Sequence, residues 1–152
     1  MTTVSITITK AEILKSVESL LWKYGKAIEG VDNYKQVYNT HSQNGTNNVD
    51  ARVLGDSYTT RVREVADIMR DFVIGNISDN GTTGVTTITL SMPTRWSGLQ
   101  DTLQKRVNKY VVDCMMFDWL TATAPAEAPM YGNQIVKDEQ DIKVELYAKG
   151  RP

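Results

Sequence analysis

The apolar positions of the chain fall into two alternating runs and four helical stripes. Val4, Ile6 and Ile8 alternate with Ser5, Thr7 and Thr9, and a period of two with one apolar face predicts a half-buried strand over residues 3–9. Thr9 is then placed to cap a helix, with Glu12 three residues on as its capping-box partner. Ile13, Val17, Leu20, Leu21 and Tyr24 follow at spacings of three and four, widened by Leu14 and Trp22. This predicts an amphipathic helix from Lys10 to about Ile28 that stops at Gly30. Tyr58, Val62, Val65, Met69 and Phe72 form a second stripe, with Asp50 as its cap, an end near Ile74 and Gly75 as the closing glycine. Ile88, Leu90 and Met92 alternate with Thr87, Thr89 and Ser91, which predicts a second strand over 85–92 ended by Pro93.

The longest unbroken pattern runs from Arg95 to Thr123. Leu99, Leu103, Val107, Tyr110, Val111 and Cys114 make its inward stripe, and from Met115 onward apolar residues surround the axis. A helix that is apolar all round is normally buried on all sides. That is hard to achieve in one small domain, so this end is expected to meet either the last helix or another subunit. Pro125 and Pro129 break the pattern. A last helix follows, with Tyr131, Ile135, Ile142 and Leu146 inward and Asp138 interrupting them. Residues 142–147 also fit a period of two, but the absence of a breaker and the Lys, Glu and Asp content favour helix. The fold class expected is mostly α (α+β): a bundle of about four helices with a small two-stranded β element (residues 3–9 and 85–92). It forms a single domain over 1–152, with long loops at 29–49 and 76–84 and a tail at 148–152. Two strands alone are marginal, so the sheet must lie on the helices or pair with a neighbouring subunit.

Composition narrows the functions. A chain of 152 residues can bury one core without staples, and a net charge of −1 argues against wrapping nucleic acid over the whole surface. Cys114 is the only cysteine, so no internal disulfide forms, and among apolar neighbours it reads as a small hydrophobe. Neither a signal peptide nor a membrane-length apolar run is expected, which points to a protein that is intracellular or made inside a cell. His41, the only histidine, lies in the 29–49 loop, so a zinc site of any common type and a serine–histidine–aspartate set are both out of reach. Glycine-rich phosphate loops are missing as well. The expectation is no catalytic residue, no cofactor and no metal, in a protein that is not an enzyme.

The charged residues carry weaker signals. Glu64, Asp67 and Asp71 share a helical face but interleave with Arg61, Arg63 and Arg70, as an ion-paired solvated face does. Asp113 and Asp118 stand inside the apolar block and need partners there, through an outward face or an inter-helix salt bridge. Arg95, Lys105, Arg106 and Lys109 gather at the start of the long helix. They are the candidate face for DNA or an acidic partner, although such a run is more commonly a solvated helix face.

The order of elements resembles a known group. A strand leads into a helix, and two more helical elements follow. A strand of the type Ile-Thr-Leu-Ser-Met-Pro, here Ile88–Pro93, then enters a long helix ending in a tryptophan-containing apolar block. The last helix closes on Leu-Tyr-x-x-x-Arg-Pro, here Leu146–Pro152. This resembles small structural proteins of tailed phages and prophages of gut bacteria, and is similar in layout to the helical head–tail connector (adaptor) proteins. The specific part of the likeness lies in residues 88–120 and 142–152. It implies a virion protein, a connector or neck subunit linking portal to tail. It also implies a homo-oligomeric ring of about twelve copies, portal and tail or neck proteins as partners, and DNA passing through the lumen. Membrane contact is not expected, and the location implied is the virion, after synthesis in the bacterial host cytoplasm. The candidate assembly residues are Met115, Met116, Phe117, Trp119, Leu120, Tyr147 and Arg151. The alternatives are another tail or neck component, or a helical nucleic-acid-binding regulatory protein resting on the basic face.

Overall fold

The computed structural model describes residues 2–27, 49–80, 83–123 and 125–149. Along them run β1 (Thr2–Thr9), α1 (Lys10–Ala27), α2 (Val49–Ile68), a 3-10 turn at Arg70–Phe72, β2 (Ser78–Asn80), β3 (Val85–Met92), α3 (Gln100–Thr123) and α4 (Ala128–Leu146). The architecture is mostly α with a small antiparallel sheet in the order β1-β3-β2. β1 pairs with β3 along its whole length, Thr2 opposite Met92 and Ile6 opposite Ile88. The period of two in both strands sends Val4, Ile6, Ile8, Ile88, Leu90 and Met92 to one buried face. Each of these side chains contributes roughly 1.5–3 kcal/mol by leaving water. The sheet therefore lies on the helices, with β1 against α3 and α1.

α3 is the centre of the molecule. It packs against α4, α2, α1 and β1. Leu103, Val107, Tyr110, Val111 and Cys114 are buried along it, as the stripe requires. Ile13, Val17 and Leu21 of α1 are buried, as are Tyr58, Val62, Val65, Ala66 and Met69 of the α2 segment. Residues 142–146 are helical.

Four boundaries differ from the sequence reading. The long helix begins at Gln100, not Arg95. The chain turns after Pro93, where the Trp96 N–H donates to the Pro93 carbonyl at 2.9 Å. It is then stitched to the end of α4. The Trp96 indole N–H donates to the Glu145 carbonyl at 2.8 Å, the Ser97 N–H to the Ala148 carbonyl at 3.0 Å, and the Leu99 N–H to Glu145 Oε1 at 2.7 Å. The last carbonyls of a helix need donors, and this segment supplies them only by staying non-helical. Gly98 permits the arrangement: a Cβ there would stand 2.6 Å from the Trp96 ring. Leu99 accepts the first helical bond from Leu103 and is 65% exposed, so it caps α3 and does not join the core.

The second helix ends at Ile68, short of Ile74. After one 3-10 turn the chain straightens. Val73 bridges to Leu90, and the Ile74 N–H donates to the Thr89 carbonyl at 2.9 Å. Extended backbone here satisfies the edge of β3, which outweighs the helical spacing of Phe72. Gly75 does take a positive φ of 70°, but it follows extended residues and not a helix. At the other end of α2, Val49 is already helical, so Asp50 lies inside the helix and does not cap it.

The loop over 76–84 contains a third strand. β2 pairs with Val85–Thr87, and Asp79 fastens it by accepting from Thr86 Oγ1 at 2.8 Å and from Arg63. The sheet thus has three strands, not two. The residues expected in the 29–49 loop, except Val49, lie outside the described residues. So do Gly30, His41 and the tail from Gly150, with Arg151.

Candidate functional site

The apolar end of α3 is enclosed within the chain. Val111, Val112, Cys114, Met115, Met116, Trp119 and Leu120 are buried, and Phe117 is half-buried. Three other helices surround α3, so an all-round apolar helix finds cover in one subunit. Met115, Met116, Trp119 and Leu120 are therefore core, which corrects their reading as an assembly surface. Phe117 lies against Gly132 of α4, where a Cβ would come within 3.3 Å of its ring. Burial pushes the Cys114 thiol up to about 12, against the pull of Arg61, so it stays protonated. Tyr110 is likewise raised above its usual range, chiefly by burial. Tyr147 is on the surface, 52% exposed, with its ring edge-on to Phe72 and its hydroxyl donating to Asp71 at 3.3 Å.

Two carboxylates meet in the seam between α3 and α4. Asp113 and Asp138 are both buried, Asp138 at 2% exposure. Lys109 Nζ donates to Asp113 Oδ2 at 2.7 Å and to Asp138 Oδ1 at 3.1 Å, and Gln134 Nε2 donates to Asp138 Oδ1 at 3.0 Å. Asp138 Oδ2 is enclosed and has no hydrogen-bond partner among the described residues. One ammonium faces two carboxylates. Burial, then the hydrogen bond to Asp138, push Asp113 up to about 7, while Lys109 opposes them. The arrangement holds a proton, but it places no nucleophile beside the pair. Sequence reasoning singled out Asp113 and noted that Asp138 interrupts an apolar face. It did not join two residues on different helices.

Asp118 has a separate partner. It accepts from Arg61 Nε at 2.9 Å, from Arg61 Nη2, and from Ser57 Oγ at 2.6 Å, while Arg61 Nη1 donates to Glu64 at 2.7 Å. This is an inter-helix salt bridge between α2 and α3, one of the two forms expected for Asp118. Arg61 is therefore not part of a solvated face. Its guanidinium is mostly covered, and its proton is held above the usual range, first by the Asp118 bond.

The basic face does not assemble as a face. Arg106 donates to the Asp141 carbonyl and pairs with Glu145 at 3.9 Å, and Lys109 is committed to Asp113 and Asp138. Arg95 lies in the turn before α3, exposed, and Lys105 is exposed on the helix. Two of the four cations are thus spent on fastening α4. Among the described residues no group of three or more His, Cys, Asp or Glu side chains is placed to hold a metal ion, and no helix is long and apolar enough to cross a membrane. A cleft of about 200 Å³ is lined by Lys10, Tyr58, Arg63, Asp79 and Thr86 among others. In it the Tyr58 hydroxyl is raised above its usual range, mainly by burial.

Two surface features are only partly covered by the subunit itself. Met130, Val136, Val144 and Tyr147 are each more than half exposed. At 3.6 residues per turn they fall within about a third of the circumference of α4, opposite Asp138, Ile142 and Leu146. The stripe was readable as apolar positions out of phase with the inward ones, but sequence analysis marked only Tyr147. The second feature is the outer edge of β1. Gln104 Oε1 accepts from the Thr7 N–H at 2.7 Å, and its Nε2 donates to the Thr7 carbonyl at 2.6 Å. One turn earlier, Gln100 Nε2 donates to the Ser5 carbonyl at 2.9 Å.

No family model, curated protein or solved structure matches the chain.

Proposed function

We propose that the chain is a virion structural protein, a head–tail connector or neck ring subunit that links portal to tail and contributes to the DNA conduit. The outward face of α4 carries this reading. Four large apolar side chains share one solvent-facing arc, with Asn133, Lys137 and Gln140 set between them and Lys143 at its edge. Single exposed apolar residues need no explanation, but four large ones aligned on one helix face and mixed with polar side chains have the make-up of a surface that meets another protein. The arc runs into residues 142–152, one of the two stretches on which the likeness to the phage proteins rests. A net charge of −1 suits a conduit that lets DNA pass without holding it. Another tail or neck component would use the same face. The regulatory DNA-binding reading is weaker, because Arg106 and Lys109 already serve α4.

Light scattering and negative-stain imaging of the purified chain, alone and mixed with a portal protein, test the proposal. Rings or a portal-bound assembly are expected. A monomer under both conditions overturns it.

A further inference from the structure

We infer that the outer edge of β1 is a strand-pairing surface for β1 of a second copy, kept closed in the single subunit by Gln100 and Gln104. β3 takes the inner edge of β1 over all eight residues, and the sheet ends there. In an antiparallel strand the N–H and C=O of one residue point to the same side, and successive residues alternate. The bonds from Gln100 and Gln104 reach Ser5 and Thr7, so Thr3, Ser5 and Thr7 are the residues whose backbone faces outward. Gln104 binds both the N–H and the C=O of Thr7, as a neighbouring strand residue would. Gln100 takes the Ser5 carbonyl alone. The Ser5 N–H and both backbone groups of Thr3 have no partner among the described residues, and both residues are exposed.

An unpaired edge of this kind is normally blunted by charge, proline, a bulge or a covering element. Thr2–Thr9 contains no charged residue and no proline. The two glutamine side chains, one helical turn apart on α3, are its cover. They are neutral and reach the strand through flexible stems, so a backbone amide can replace them bond for bond.

The occupant follows from the same chemistry. It must be an extended, uncharged strand that offers N–H and C=O groups at ladder spacing. β1 of another copy meets that requirement. Among the described strands it alone has a long open edge, since β3 is paired on both sides and β2 has three residues. Two β1 strands related by a two-fold axis satisfy each other with one surface, as an isologous contact demands. The surface is distinct from the outward face of α4, so the inference does not depend on the ring proposal.

Sedimentation of three forms at concentrations up to on the order of 100 µM tests it. These are the parent chain, Gln100→Ala/Gln104→Ala, and the same double variant with Ser5→Pro. The proline removes an outward N–H without touching the β1–β3 ladder. Removing the glutamines is expected to strengthen association about tenfold or more over the parent, and Ser5→Pro is expected to return it to the parent's level. Circular dichroism and melting confirm that each variant is folded. If the double variant associates no more than the parent, or if Ser5→Pro leaves its association unchanged, the inference is overturned. A parent that forms no ring counts against the proposed function alone, because this test reads the difference between parent and variants.

Discussion

Asp113 and Asp138 set two buried carboxylates against one ammonium, and that imbalance gives the molecule a pH-dependent fastening. The ordinary value for the Asp113 carboxyl is 3.8 and in the fold it is about 7, raised by burial and by Asp138. The folded chain therefore binds this proton more tightly than the unfolded chain does. Below about pH 4 both states hold it, and its stabilisation is fully present. As pH rises toward 7 the unfolded chain gives it up first, so stability falls, and above 7 the loss is complete. The groups that face the pair are Lys109 on α3, Gln134 and Tyr131 on α4, and Glu12 of α1 across the groove that Asp113 lines. Lys109 is itself raised and stays charged throughout this range. Melting temperature is expected to drop between pH 5 and 8, and Asp113→Asn should flatten the drop and stabilise the chain at pH 8 by on the order of 2 kcal/mol. A parent whose melting is flat over this range rules out the raised Asp113 carboxyl. Asp118→Ala acts at the other seam, between α2 and α3. It leaves the mostly covered Arg61 guanidinium without its two-pronged partner, at a cost of roughly 1–3 kcal/mol in urea unfolding.

At the scale of elements, the helix α3 explains which features were legible in the sequence. Its inward stripe and those of α1, α2 and both long strands were readable because burial imposes the period of each element locally. The ends were not readable. Trp96 and Leu99 continue the helical spacing, yet the Trp96 indole N–H and the Leu99 backbone N–H are both taken by Glu145 of α4, nearly fifty residues away. Val73 and Ile74 likewise extend a helical stripe but complete the edge of β3. β2 carries only Ser78, Asp79 and Asn80, which have no apolar alternation to reveal a strand. The apolar end of α3 was flagged as needing cover, and α4 supplies much of it, so a second subunit is not required there. Trp119→Ala tests that assignment. With the indole buried among core residues, the substitution should cost about 3–5 kcal/mol and lower the melting temperature of the single subunit. Unchanged melting with lost assembly would return Trp119 to the role of an anchor between copies.

For the whole molecule, the question is what the subunit leaves uncovered once its own core is complete. The answer differs from the sequence reading in place but not in kind. The apolar surface is on the far side of α4, at Met130, Val136, Val144 and Tyr147, and not on α3. Replacing Val136 and Val144 with lysine separates folding from assembly. Both side chains are already more than half in water, so the fold loses little packing, and helix propensity changes slightly in favour of lysine. The double variant should therefore unfold within about 0.5 kcal/mol of the parent. Two lysines placed on the arc beside Lys137 and Lys143 would put like charges into any interface formed there, and desolvating them is costly. Rings or portal-bound assemblies of the parent should disappear by light scattering, while circular dichroism and the denaturation midpoint hold. Assemblies that survive both lysines would show that the outward face of α4 is not where copies or partners meet.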